Sequence, residues 1–159
     1  MFAHFRSKER LQQETVEAAS GVCEREVLVP GLAAPGGLAQ VEGLCEAYLS
    51  YVERGVFPGG CFFAQLLADY DARTGPLHDR IFEDQRGWLG LLKRLIGVAQ
   101  QQGELDLTVD PVRLAFELSG PVELATYWSV LYRDTSFVGH GRAAVRASIV
   151  NAARPTIRP

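Results

Sequence analysis

Residues that hold metals or staple small folds are scarce in this 159-residue chain, which has three histidines, three cysteines and one methionine. His4, His78 and His140 lie far apart, so no pair has the i, i+4 spacing of a helical metal site. Cys23, Cys45 and Cys61 are odd in number and widely spaced. That argues against a disulfide framework or a C-x-x-C metal site and leaves three reduced, mostly buried thiols. The chain also lacks G-x-S-x-G, a P-loop, H-E-x-x-H and G-x-G-x-x-G. With no nucleophile, base or metal set, it reads as neither an enzyme nor a cofactor-binding protein. Cys61 follows two glycines at a helix start, yet a small apolar residue packed under a turn explains it better than an activated thiol. Glu83-Asp84 and Asp69/Asp71 read as solvated helix faces. Long apolar runs are missing too. Nothing approaches the ~20 residues that span a bilayer, and Met1-Phe2-Ala3-His4-Phe5-Arg6 is no signal peptide. A cytoplasmic protein without membrane contact is the expectation.

Positive charge is missing from the middle of the chain. The net charge is -3. Residues 1–10 carry +2 and residues 135–159 carry +4, while residues 11–134 hold 9 basic and 18 acidic side chains. The body would repel a phosphate backbone, and only the two ends could approach one.

What is present is helical periodicity. Strict apolar/polar alternation is absent, and six helices are predicted, an all-α bundle with short connections. The first starts at an N-cap, Ser7, and runs to about Val29, where Pro30 disturbs it. The second covers roughly Leu38 to Arg54, with Val41, Leu44, Cys45, Tyr48 and Val52 on one face. Pro58-Gly59-Gly60 then breaks the chain, and a short third helix follows from Cys61 to about Ala72. The fourth opens at Thr74-Gly75-Pro76 and runs to about Gln102, with an apolar stripe of Leu77, Ile81, Trp88, Leu92, Leu95 and Ala99. Gly103 sits where a helix-ending glycine belongs. Asp110-Pro111 supplies the N-cap and first-turn proline of the fifth, which continues to about Arg133. The sixth covers roughly Ser136 to Ala152, and the tail 154–159 should fray.

The fifth helix is apolar nearly all round, so it must be covered on more than one side. One side could face the domain's own core and the other a partner subunit. Pro121 within it predicts a kink. Glu117 and Glu123 flank that proline and must be paired, protonated or near solvent. They could contact a ligand, or they could form ion pairs at a helix end or between subunits. Phe62, Phe63, Trp88, Phe116, Tyr127 and Trp128 could converge on a mostly apolar small-molecule site, although an aromatic stripe is more often simply core.

Three segments carry a resemblance. Phe2-Ala3-His4-Phe5-Arg6-Ser7-Lys8-Glu9-Arg10-Leu11 resembles the junction at which the recognition helix of a TetR-family transcriptional regulator ends and the next helix opens. Val56-Phe57-Pro58-Gly59-Gly60-Cys61-Phe62-Phe63 is similar to the F-P-G-G-C-F/L segment of one large branch of that family. Gly103-Glu104-Leu105 with Asp110-Pro111 and Leu114-Ala115 is similar to that branch's G-E-L…D-P…L-A pattern. The three occur in family order and span essentially the whole chain.

The resemblance implies a TetR-type C-terminal regulatory domain over residues 7–153. Residues 1–6 would be the remnant of a helix-turn-helix that lies largely outside this chain. His4 and Lys8 would be remnant DNA-phosphate contacts, as would Phe2, which stands where the family usually carries a tyrosine. Operator binding would need the missing head. The implied activity is that of a repressor's sensor and dimerisation module, without cofactors. A small, largely apolar effector would be held by Phe62, Phe63, Trp88, Phe116 and Glu117. The last two helices would pair with their two-fold mates through Tyr127, Trp128 and Leu131, and effector binding would shift the first helix and release the operator. The alternative is an interaction protein that pairs with intact regulators and disables them.

Overall fold

A computed structural model describes residues 8–70 and 75–153. Among the described residues there are no strands. The helices are α1 (Lys8–Cys23), α2 (Gly37–Glu53), α3 (Phe62–Tyr70), α4 (Pro76–Gln101), α5 (Pro111–Tyr132) and α6 (Ser136–Ala153). The expected Ser7 cap, the predicted end of the third helix at Ala72, the frayed tail, Asp71, Phe2 and His4 all lie outside the described residues, as does the side chain of Lys8.

α1 does not stop at Cys23. It continues through a π-helical turn, Glu24–Leu28, into a short α segment, Val29–Gly31. The Val29 N–H bonds the Glu24 carbonyl, five residues back. Pro30, which has no N–H to give, follows directly. The sequence predicts disturbance at Pro30, and the chain meets it by widening one turn rather than ending the helix. Gly31 then lets this segment lie against α2, because a Cβ there would stand 2.8 Å from the Leu44 Cα.

Burial follows the predicted stripes. In α2, Val41, Leu44, Cys45, Leu49, Tyr51 and Val52 are buried; in α4, Ile81, Leu92, Leu95, Ile96 and Ala99. α5 sends Leu114, Ala115, Leu118, Val122 and Ala125 inward. α6 adds Val138, Val145 and Ile149. α5 runs on through Pro121 as a single helix. The Asp110 carboxylate accepts from the Val112 N–H at 2.9 Å, the cap that Asp110-Pro111 predicts.

The tightest seam lies between α2 and α4. A Cβ on Gly37 would stand 2.3 Å from the Ala99 nitrogen and 2.7 Å from the Leu95 carbonyl oxygen. Two backbones therefore touch where only hydrogen fits. Gly36 precedes α2 and has no side chain to cap it, so the cap comes from across the seam. The Gly37 N–H donates to Gln102 Oε1 at 3.0 Å and the Leu38 N–H to Glu104 Oε2 at 2.9 Å. Gly103, at φ 76°, turns the chain so that Glu104 can reach back, and Leu105 beside it is buried. The carboxylate also complements the dipole at the α2 N-terminus.

On the outer side, Arg142 of α6 forks onto α2, donating to Glu46 at 2.9 Å and to Glu53 at 2.7 Å. Gly141 brings α6 close to α5, where an added Cβ would meet Ala125 Cβ at 2.8 Å.

Gly37→Ala should therefore cost about 3 kcal/mol by overpacking. Gly97→Ala, at a helical position where an added Cβ meets nothing within 4 Å, should gain ~0.5–1 kcal/mol. Glu104→Ala should cost about 1 kcal/mol as a lost cap. Urea unfolding of the three variants checks all of these signs.

Candidate effector cavity

Five helices, α1 to α5, enclose a cavity of about 590 Å³. That size suits a small organic molecule. α1 and its π-helical turn supply Ser20, Cys23, Val27 and Leu28, and α2 supplies Tyr48. Cys61 and Phe63 come from the start of α3. α4 supplies Trp88 and Leu91 with the acidic pair Glu83 and Asp84, and α5 supplies Ser119, Val122 and Glu123.

Aromatic rings form one continuous wall. Tyr48 lies 5.7 Å from Trp88 and 6.0 Å from Tyr51, which in turn contacts Phe57. Phe57 meets Phe62 at 5.7 Å, and Phe62 meets Phe63 edge-on at 5.4 Å. Gly60 is needed to bring this wall in. Its φ is 85°, and a Cβ there would press on Thr126 and Val130 of α5 at 3.0 Å. The Pro58-Gly59-Gly60-Cys61 break thus delivers Cys61 and Phe63 to the cavity.

Of the five residues expected to hold a ligand, Phe63 and Trp88 line this cavity. Phe62 stands behind it, packed between Phe57 and Phe63. Phe116 and Glu117 need correction. Phe116 is 74% exposed, and Glu117 accepts from Arg113 at 2.7 Å on the outside of α5. The reason is helical phase. Leu118 and Val122 point inward, and Phe116 lies two residues from Leu118, about 200° around the helix. A helix apolar all round does not reveal its phase in the sequence.

The two readings of the α5 glutamates thus divide between two residues. Glu117 forms the ion pair, one turn along its own helix, and Glu123 lines the cavity. Tyr48, Cys23, Ser20 and Ser119 were not identified as lining residues from sequence. Tyr48 belongs to the core stripe of α2.

The electrostatics of the cavity are set by buried thiols and phenols on one side and by carboxylates on the other. Desolvation pushes the Cys23 thiol up to about 12. Tyr48 and Tyr51 are raised by burial, with the two cavity thiols adding to it. These groups stay neutral, and Cys23 is a poor nucleophile. Cys23, Cys45 and Cys61 are all free thiols. The Ser119 hydroxyl oxygen is buried without a hydrogen-bond partner. Glu123 lines both this cavity and a groove between α5 and α6. Its side chain is exposed, yet the surrounding protein desolvates its carboxyl enough to raise it. Among the described residues no cluster of three metal-ligating side chains occurs.

The groove side belongs to an apolar face. Tyr127 is 62% exposed and Leu131 55%, with Leu124 and Trp128 completing the stripe. Trp128 meets Phe137 of α6 edge-on at 5.4 Å, and Tyr132 packs on the same ring. The three residues expected at a dimer interface all lie on this face. No described helix is long and apolar enough to cross a membrane.

A helical bundle with a largely apolar cavity and an outward apolar face has the form of a transcription regulator's C-terminal domain. The chain belongs to the family described as Tetracyclin repressor-like, C-terminal domain, whose model matches residues 37–145. A TetR transcriptional regulator from Chloroflexus aurantiacus J-10-FL superposes with a TM-score of 0.87 at 21% identity, covering 97% of this chain and 78% of its own. SCO4454, a TetR-family regulator from Streptomyces coelicolor, gives 0.79 at 16% identity, over 96% and 77%. AibR, solved in complex with isovaleryl coenzyme A and operator DNA, gives 0.67 at 18%, over 89% and 76%. At these identities the likeness is one of fold. No curated protein matches the chain by sequence.

Glu123 yields a test. Because its folded pKa is raised, the folded state binds the proton more tightly than the unfolded chain. Ionisation then costs stability as pH rises through the folded value. Glu123→Gln should raise Tm at pH 7, and the gap should close below about pH 4, where the unfolded carboxyl also protonates. Thermal melts across pH check this.

Proposed function

We propose that this chain is the effector-sensing and dimerisation module of a TetR-type transcriptional repressor. The observation that carries the reading is the cavity itself, an aromatic-walled space of about 590 Å³ lined by the π-helical stretch of α1. A core of this size has no reason to leave such a volume unfilled, since packing to native density is stabilising. A π-helical turn at a cavity is a common mark of function, because its extra residue can be absorbed or expelled by a modest force. α1 is the element through which occupancy would be transmitted toward a DNA-binding head. For that to work, the effector must bind the released arrangement more tightly than the operator-bound one. The isovaleryl coenzyme A bound by AibR supports small-molecule sensing on this fold.

The second half of the reading is a two-fold dimer through α5 and α6. Tyr127, Trp128 and Leu131, with Leu124 and Phe137, form an outward apolar face of the kind that marks a protein–protein contact. The same face would serve a mixed dimer with an intact regulator.

Two measurements test the proposal. Light scattering of the purified chain should give the mass of a dimer, and Leu131→Asp should reduce it to that of a monomer; a monomeric wild type would sink the interface. For the cavity, Trp128→Phe leaves Trp88 as the sole tryptophan of two. The neutral apolar dye N-phenyl-1-naphthylamine should then quench Trp88 by energy transfer and fluoresce, and an unchanged Trp88 signal at saturating dye would rule out an effector site there.

A further inference from the structure

The walls of the cavity are apolar, but its polar groups are unbalanced. Among the described residues Glu83, Asp84 and Glu123 line it against one cation, Arg94. Arg94 and Glu83 are both exposed, so their charges remain hydrated at the rim. Asp84 is already engaged, accepting from Ser20 at 3.3 Å and from Arg80 at 3.4 Å. Glu123 has no ion pair or hydrogen bond among the described residues. One helical turn before it, the Ser119 hydroxyl is buried and also unpartnered. Their i, i+4 spacing places both on one side of α5.

A buried hydroxyl without a partner is unfavourable when left alone, and one turn along the helix stands a carboxylate that solvent partly reaches and no described cation pairs. Their coincidence on one wall of an otherwise apolar space marks where a ligand's polar head would sit. Partial desolvation of Glu123 agrees, since it raises the carboxyl although solvent still reaches the side chain. Trp88 and Tyr48, 5.7 Å apart, add aromatic faces whose quadrupoles also attract positive charge. An anionic head would meet net negative charge instead.

We infer that the effector is a small lipophilic amine or quaternary ammonium compound, its cationic head held by Glu123 and Ser119 and its apolar body packed on Trp88 and Phe63. The inference rests on the reading of this cavity as an effector site and adds the sign of the ligand's charge.

The test uses three probes with one phenylalkyl body and different heads: 4-phenylbutylamine, 4-phenylbutanol and 4-phenylbutanoate. Each is titrated calorimetrically into the purified chain at pH 7. The amine should bind about tenfold or more tightly than the acid, the effect of one charge-assisted contact. Glu123→Gln should abolish the amine's advantage over the alcohol, while continued binding of 4-phenylbutanol to the variant and a melting temperature at or above that of wild type show that the cavity is intact. If the acid binds as tightly as the amine, or Glu123→Gln keeps the amine's advantage, the ligand class is overturned and the cavity reading survives. If none of the three binds, both are overturned.

Discussion

The contact on which the rest of the molecule depends is the seating of Gly37 on the backbone at Ala99. Helices normally meet through side chains, at 8–10 Å between axes. Here a glycine removes that spacer, and Gln102 and Glu104 cap α2 from the far side of the same seam. The N-terminus of α2 is therefore held by α4 in place, direction and hydrogen bonding together. Once that end is set, Tyr48 arrives opposite Trp88 further along the pair. The cavity is the space left where the two helices carry large rings rather than glycine.

α5 divides the molecule into an inner and an outer domain of chemistry. Its inner side supplies core residues and, with Ser119 and Glu123, the polar groups of the cavity. Its outer side supplies Tyr127, Trp128 and Leu131. Glu123 sits at the boundary, lining both the cavity and the α5/α6 groove. A partner subunit on that groove would further desolvate the carboxylate, so dimerisation and effector charge would be coupled through one side chain.

The fold was largely legible in advance because its signals are local. Asp110-Pro111 starts α5 and Gly103 follows α4, each for a reason contained within a few residues. The stripe from Ile81 to Ala99 repeats at helical spacing and is buried as that spacing requires, save Trp88, which is partly buried at the cavity. Trp88 and Phe63 were recognisable as candidate pocket residues because aromatics concentrate at such sites. Phe116 and Glu117 were not separable from them, since α5 is apolar on every side and carries no signal of its own phase.

Short-range signals in the sequence were enough for the class of fold and for the starts and ends of the second, fifth and sixth helices to within a few residues. Those follow from periodicity, caps and breakers, all short-range effects. Tertiary structure alone decided which turn of α5 faces inward, that Glu117 pairs with Arg113 while Glu123 meets the cavity, and that Pro30 produces a π-helical turn rather than an end. It also decided that Glu104 caps a helix that begins 67 positions earlier, at Gly37. The inward turn of α5 and the Glu104 cap depend on contacts between residues far apart in the chain, and the energy that selects them comes from packing the helices together.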